Sequence, residues 1–300
     1  MISRLICLML GVSLNVGMAD LGWADTGHSR FSQVFHPILF HIAGIMAVSP
    51  KHVFFRFDRK FIYDKGPIEM SNIHFIGGEK GGVGKSLVAR VLAQYFIDKN
   101  LPFLGFDTDK SHGALLRFYA DFSAPIVLDR HDSLDPIIEQ AFADPQRRIL
   151  VDLAAQTQQS IAAWLEDSGV LDFAEEHGIT LTWWHVMDSG RDSVDLLRRW
   201  LDQFGGRLKL VLVLNEVRGD RFEILDASGE RERAEKFGAS VISLRRLPDT
   251  TIQKIDQQSA SFWAALNHSD RANAGLGLLE RQRVKVWLHR AYSDIGKIVL

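Results

Sequence analysis

The sequence predicts an α/β protein: a doubly wound, mostly parallel sheet with helices on both faces. Three observations predict it. Short apolar runs that suit buried strands alternate with segments whose apolar residues recur at helical spacing. One run, Leu208 to Leu214, is almost continuously Leu and Val, as in a central parallel strand covered on both faces. Across residues 73–96 an apolar run, a glycine-rich loop and an amphipathic segment follow one another directly, an order that aims a helix N-terminus at an anion.

The elements follow in chain order. Ile73, His74, Phe75 and Ile76 form the first strand, and Leu87, Val88, Val91, Leu92, Tyr95 and Phe96 mark the first helix. Leu101 to Phe106 is a second strand, ending in Asp107-Thr108-Asp109-Lys110-Ser111-His112-Gly113. Carboxylates there stand where doubly wound sheets bind ligands. Ile126 to Leu128 suggests an edge strand, and Ile137, Ile138, Ala141 and Phe142 suggest a helix. Arg147 to Asp152 is a strand ending in an acid. Ile179 to Met187 is a strand carrying Trp183 and Trp184, with Val194, Leu197, Trp200, Leu201 and Phe204 on the helix after it. Leu208 to Leu214 stops at Asn215. Ala239 to Leu244 is the last strand, followed by Arg245-Arg246-Leu247-Pro248-Asp249. Strands alternating with helices imply right-handed parallel crossovers.

The loop carries the chemistry. Gly78, Gly84, Lys85 and Ser86 satisfy G-x-x-x-x-G-K-[ST]. Glycines let backbone N–H groups curl around phosphates because no Cβ blocks the approach. The candidate phosphate contacts are Gly78, Gly81, Gly82, Val83, Gly84, Lys85, Ser86 and Leu87. Lys85 reaches the β/γ-phosphates as a point charge, and the Ser86 hydroxyl ligates Mg²⁺. Asp152, closing an apolar strand downstream, fits the Walker B pattern in which a carboxylate helps hold Mg²⁺. Lys80 is an additional lysine inside the loop.

Composition excludes several classes. At 46% hydrophobic and 24% charged, the 300 residues resemble an ordinary globular chain. A net charge of -2 gives no global bias toward nucleic acid or anionic lipid. The single cysteine, Cys7, rules out an intrachain disulfide or an intrachain cysteine cluster. No apolar run reaches the ~18 residues that suggest a membrane-spanning helix.

Residues 1–69 read as an upstream extension and 70–300 as the nucleotide-binding domain with a C-terminal helical tail. The extension begins like a secretory signal, with Arg4, an apolar Leu5 to Val12, and Gly17-Met18-Ala19. A nucleotide loop implies the cytoplasm. Met70 stands just before the first strand, so a start placed upstream of the natural one reconciles the two; a genuine anchor or presequence is the alternative.

Lys80-Gly81-Gly82-Val83-Gly84-Lys85-Ser86 is the deviant Walker A sequence K-G-G-x-G-K-[ST]. With this order of strands, residues 70–260 resemble the MinD/ParA family of P-loop ATPases. The resemblance implies ATP and Mg²⁺ as ligands and an ATP-dependent homodimer. It implies that Lys80 crosses that dimer to the partner's phosphates, that Asp107 lies near the metal and that Asp109 orients the attacking water. It further implies that Asp152 is metal-linked, that Asn215 recognises adenine and that Pro248 belongs to the base-binding loop. Catalysis thus falls to Lys80, Lys85 and Asp109, and the metal to Ser86, Asp107 and Asp152. Two departures bear on switching: Lys110-Ser111 follow Asp109 where Pro-Gln is common, and Leu153-Ala154-Ala155-Gln156 follow Asp152 where Gly or Pro is common. Asn215-Glu216-Val217-Arg218 lacks N-K-x-D, which favours ATP over GTP. Cys7 alone excludes an iron-protein role.

The expected output is positional, with hydrolysis as a timer. The turn at 152–156 and the long tail look most like ATPases of plasmid mobilisation or transfer, with DNA partition the main rival. A protein adaptor or relaxase, nonspecific DNA and a membrane are the partners to weigh, and a module that binds ATP with little hydrolysis is a further class. Val284, Trp287, Leu288, Ala291, Ile295 and Ile298 line one face of a basic C-terminal helix that docks on the core or the dimer mate, or lies on a membrane; docking is favoured. Lys110-Ser111-His112 read as a solvated loop. Trp183-Trp184 read as one core and one helix-packing residue, and His185 as structural. Arg245 and Arg246 are split between a surface role and contact with DNA or phosphate.

Overall fold

The computed structural model describes residues 71–78, 80–109, 113–267 and 275–299. The expectations for residues 1–69 and for Lys110-Ser111-His112 lie outside the described residues.

The first strand, β1 (Asn72–Gly77), runs into the glycine loop and then α1 (Lys85–Asp98). Next come β2 (Phe103–Asp107), α2 (Ala114–Phe118), β3 (Ser123–Pro125), α3 (Asp135–Ala143) and β4 (Arg148–Asp152). Helices α4 (Gln158–Asp167) and α5 (Val170–Glu176) lead to β5 (Thr180–Met187), α6 (Arg191–Phe204) and β6 (Lys209–Asn215). The chain ends through α7 (Glu223–Ser228), α8 (Glu230–Lys236), β7 (Ser240–Leu244), α9 (Asp249–Gln257), α10 (Phe262–Asn267) and α11 (Leu278–Val299).

The strands form one seven-stranded sheet in the order β3-β2-β4-β1-β5-β6-β7. Every pairing is parallel. The chain winds outward from β1 in one direction, returns, and leaves in the other. A doubly wound sheet covered on both faces results, as expected.

Strand alternation divides the core. Ile73, Phe75, Ile149, Val151, Trp183 and Leu212 point to one face and pack under α3–α6. Ile76, Leu150, Trp184, Val186 and Val211 point to the other and pack under α1 and α11. Both tryptophans are therefore buried, on opposite faces. Trp183 stacks on Trp200 of α6 at 3.9 Å between centroids, and the Trp184 indole donates to His74 Nδ1 at 3.1 Å. Burial drives His74 down to about 3 and His185 to about 4, so both rings are neutral and structural near pH 7.

The edge strand expected at Ile126–Leu128 lies earlier, at Ser123–Pro125. The apolar run marks where side chains enter the core, whereas pairing is set by Gly105–Asp107 on β2. Ile126 is buried just past the strand and still donates its N–H to the Asp107 carbonyl at 2.9 Å. Segments without a sequence expectation also fold as short helices, α4 and α5 among them, divided where Gly169 takes φ 62°.

The apolar face of α11 is buried on the core through Val284, Trp287, Leu288, Ala291, Ile295 and Ile298. Polar ties fix it there: the Trp287 indole donates to the Arg245 carbonyl at 2.6 Å, the Tyr292 hydroxyl to Asp98 at 2.9 Å, and Lys209 to the Ile298 carbonyl at 2.6 Å. Among the described residues no helix is long and apolar enough to cross a membrane.

Candidate nucleotide-binding site

In a parallel sheet the strands end together, so the C-terminal ends of β1, β2, β4, β5 and β6 share one edge. The loop from Gly78 to Gly84 occupies that edge beside the point where the winding reverses.

Gly84 has φ 97° and ψ 26°, a left-handed conformation that a glycine adopts without a Cβ penalty. It hands the chain into α1, and no side chain caps the helix. The first-turn N–H groups therefore face the loop without a capping side chain, which suits a phosphate. Gly81 has open space where a Cβ would stand. Gly78 plays a different part: a Cβ there would meet the Val186 carbonyl at 2.2 Å, so its φ of 119° seats the loop against β5. Lys85 is buried, and its ammonium donates to the Lys80 carbonyl at 3.2 Å, inside the loop.

Ser86, exposed at the start of α1, hydrogen-bonds the Asp152 carboxyl. Asp152 is 2% exposed, and its Oδ1 has no hydrogen-bond partner among the described atoms. Burial and the charge of Asp107 push its pKa up to about 7, against Ser86 and Lys85, which pull it down. A buried carboxylate with an unpartnered oxygen, held against a hydroxyl at the phosphate loop, is the donor set Mg²⁺ takes when phosphates and water supply the remaining ligands. The residues fit that ion. No cluster of three or more His, Cys, Asp or Glu capable of caging a metal by itself exists among the described residues.

Asp107 faces Asp152 across the β2–β4 register. Its oxygens are already engaged: Oδ1 accepts the Asp109 N–H at 3.0 Å, and Oδ2 accepts Leu115 at 2.9 Å and Leu116 at 3.4 Å. It braces the turn into α2, and burial raises its pKa despite those bonds. Asp109 is half-buried next to it. Thr108, which sequence reasoning missed, donates its hydroxyl to the Asp152 carbonyl at 3.1 Å and accepts the Ala154 N–H at 2.7 Å, tying the two strand ends together. Nothing local in the sequence marks it.

Asn215 touches the loop directly. Its amide donates to the Val83 carbonyl at 2.7 Å and is buried beneath Gly84. Pro248 is exposed at the start of α9 and shares a groove with Glu216, the neighbour of Asn215.

Lys80 does not point into the phosphate loop. Its ammonium lies 3.3 Å from Asp188 and 3.4 Å from Asp192, beyond the end of β5. Asp188, missed by sequence reasoning, also pairs with Arg218 at 3.2 Å and accepts the Ser193 hydroxyl at 2.7 Å and the Gly190 N–H at 3.1 Å. Burial alone would raise its pKa, but these bonds and the charge of Lys80 hold it below the usual carboxylate range.

A strand, a glycine loop and an uncapped helix at the reversal of a doubly wound parallel sheet define a P-loop nucleotide-binding fold. The resemblance to ParA/MinD-like P-loop ATPases carried by the loop sequence agrees with this architecture. The chain is similar to Protein MobD of Acidithiobacillus ferrooxidans, with 26% identity over 199 residues, 65% of this chain and 86% of that protein. It is also similar to a Protein TraL of Escherichia coli, with 26% identity over 236 residues, 72% of this chain and 94% of that one. No family model matches. Among solved structures, a putative plasmid partition protein of Borrelia burgdorferi bound to AMPPNP aligns at 12% identity and a TM-score of 0.42, covering 74% of this chain and 99% of that one. A nucleotide-binding protein of Archaeoglobus fulgidus in complex with ADP aligns at 15% identity and a TM-score of 0.39, covering 62% and 86%.

Proposed function

We propose that the chain is a cytoplasmic, Mg²⁺-dependent ATPase that switches between a monomer and an ATP-bound homodimer and serves plasmid mobilisation or transfer, or DNA partition. The observation that carries the nucleotide reading is the uncapped N-terminus of α1 behind a left-handed Gly84, with Lys85 inside the loop and Ser86 joined to a buried Asp152. The similarity to MobD and TraL over most of their lengths supports the plasmid context.

The chain's own groups divide the work. Loop N–H groups and Lys85 bind and orient the phosphates, Asn215 holds the loop from behind through Val83 and recognises adenine, and Pro248 belongs to the base-binding loop. Ser86 and Asp152 would hold Mg²⁺, which would supply positive charge to the phosphates. Asp107 keeps the Asp109 turn in place, and Asp109 orients water. Lys80 leaves Asp188 and Asp192 to deliver its charge across the dimer, as an arginine finger does. Hydrolysis then requires the second copy.

Titration calorimetry with ATP and Mg²⁺ tests the site. Lys85→Ala is expected to abolish binding, and Asp152→Asn to remove the Mg²⁺ dependence; tight Mg²⁺-dependent binding retained by both would overturn the assignment. An ATP-binding module with little hydrolysis is a second reading, favoured by the two carboxylates that hold Lys80 in cis. Single-turnover hydrolysis with and without a partner protein separates the two.

A further inference from the structure

Asp188, the residue after β5, carries a carboxylate whose side chain is 1% exposed, and two cations share its Oδ2: Lys80 at 3.3 Å and Arg218 at 3.2 Å. Its Oδ1 is taken by the Ser193 hydroxyl and the Gly190 N–H. One cation is enough to balance one buried charge, so the second calls for a separate explanation.

The two cations are tied to different parts of the fold. Lys80 belongs to the phosphate loop and also reaches Asp192 at 3.4 Å. Gly190 leaves room for its ammonium, since a Cβ there would stand 3.2 Å from the Nζ. Arg218 ends the short helical turn Glu216–Arg218 that follows β6, three residues beyond Asn215. Its guanidinium reaches both Asp188 and the loop, with Nη2 3.6 Å from where a Cβ on Gly82 would stand. Two acids and two cations thus balance at the rim of the phosphate loop.

Withdrawing Lys80 affects the two acids unequally. Asp192 is 75% exposed, so water takes over its charge. Asp188 is sealed from water, and a buried carboxylate left without a counter-ion is strongly unfavourable. Arg218 is anchored on β6 and need not follow the lysine.

We infer that Arg218 is a positioning residue: it holds the charge of Asp188 when Lys80 leaves, and so lets the lysine go. The inference rests on the reading in which Lys80 acts across an ATP-bound dimer, and it adds the residue that governs the release. A guanidinium suits the part because it stays charged and presents a fork of donors to a carboxylate. With Lys80 as the only cation, Asp188 would lock it in cis.

Two measurements test this. The first is urea denaturation of the nucleotide-free full chain, with Lys80→Ala representing the state from which the lysine has gone. Arg218→Gln is expected to move the urea midpoint little in the parent and to lower it clearly in Lys80→Ala, and Asp188→Asn should remove the difference between the two backgrounds. The second is ATP-dependent dimerisation by analytical ultracentrifugation with single-turnover hydrolysis. Arg218→Gln is expected to bind ATP as the parent does but to lose at least about tenfold in both dimer formation and hydrolysis, because Asp188 retains Lys80. Arg218→Lys, which keeps the charge, and Asp188→Asn added to Arg218→Gln, which removes the need for it, should each recover most of the loss. Three results would overturn the inference: additive urea midpoints, parental hydrolysis in Arg218→Gln, or ATP binding lost in that variant, which would make Arg218 a phosphate ligand. A parent chain that stays monomeric with ATP would instead defeat the dimer reading, and the urea cycle then decides the counter-ion role by itself.

Discussion

Replacing Gly84 with alanine tests how the loop is held. The backbone there has φ 97°, and an added Cβ would stand 2.1 Å from Asn215 Nδ2. Left-handed backbone in a residue with a Cβ costs about 1–2 kcal/mol. The contact is too close to be absorbed without moving the Asn215 amide, which is 2% exposed and bonded to the Val83 carbonyl at 2.7 Å. Losing that bond and stranding its buried partners costs about 1–3 kcal/mol more. The total for Gly84→Ala is therefore about 2–5 kcal/mol. In an Asn215→Ala background the obstruction is gone and only the backbone strain of about 1–2 kcal/mol remains. Urea denaturation of the parent, both single variants and the double variant, all without nucleotide, should give a coupling of about 1–3 kcal/mol. If Gly84→Ala costs the same in both backgrounds within about 0.5 kcal/mol, Asn215 does not brace the loop and the reasoning fails.

Lys80→Ala should leave nucleotide affinity close to the parent, because the side chain lies on Asp188 and Asp192 and away from its own phosphate loop; single-turnover hydrolysis should fall by about 10³-fold if the lysine acts as a trans cation. Trp200→Ala removes the ring stacked on Trp183 and should cost about 3–5 kcal/mol in denaturant unfolding. Acid should destabilise the nucleotide-free protein through His74 and His185. Their folded pKa values, about 3 and about 4, lie below the unfolded value of 6.5, so the unfolded chain binds more protons as pH falls through 6.5 and stability is lost down to those values. Asp152 acts oppositely: raised to about 7, it returns stability on acidification between pH 7 and its unfolded value of 3.8. Asp152→Asn should therefore steepen the stability loss between pH 7.5 and 5.5 by about 1–2 kcal/mol, read from urea midpoints.

Much of the fold was legible because its signals are local. The apolar runs that became β1, β5 and β6 are short and clearly bounded, and the spacing of Val194, Leu197, Trp200 and Leu201 marks a helical face within a few turns. Less was legible where pairing outweighed composition. Ile126–Leu128 looked more like a strand than Ser123–Pro125, yet the hydrogen-bonding partner on β2 selected the earlier residues. Helices as polar as α8, which buries only Glu230 and Ala234, leave little periodic trace.

By itself the sequence determined the phosphate loop, the alternation of strands and helices and the acid that closes β4, since each depends on residues adjacent along the chain. The tertiary structure decided what those groups touch. It put β1 between β4 and β5, brought Asn215 beneath a carbonyl 132 residues away, and turned Asp107 toward the N–H groups leading into α2. It also directed Lys80 onto Asp188. Such contacts depend on the order in which parallel strands pack, and packing joins segments whose separation along the chain leaves no local trace.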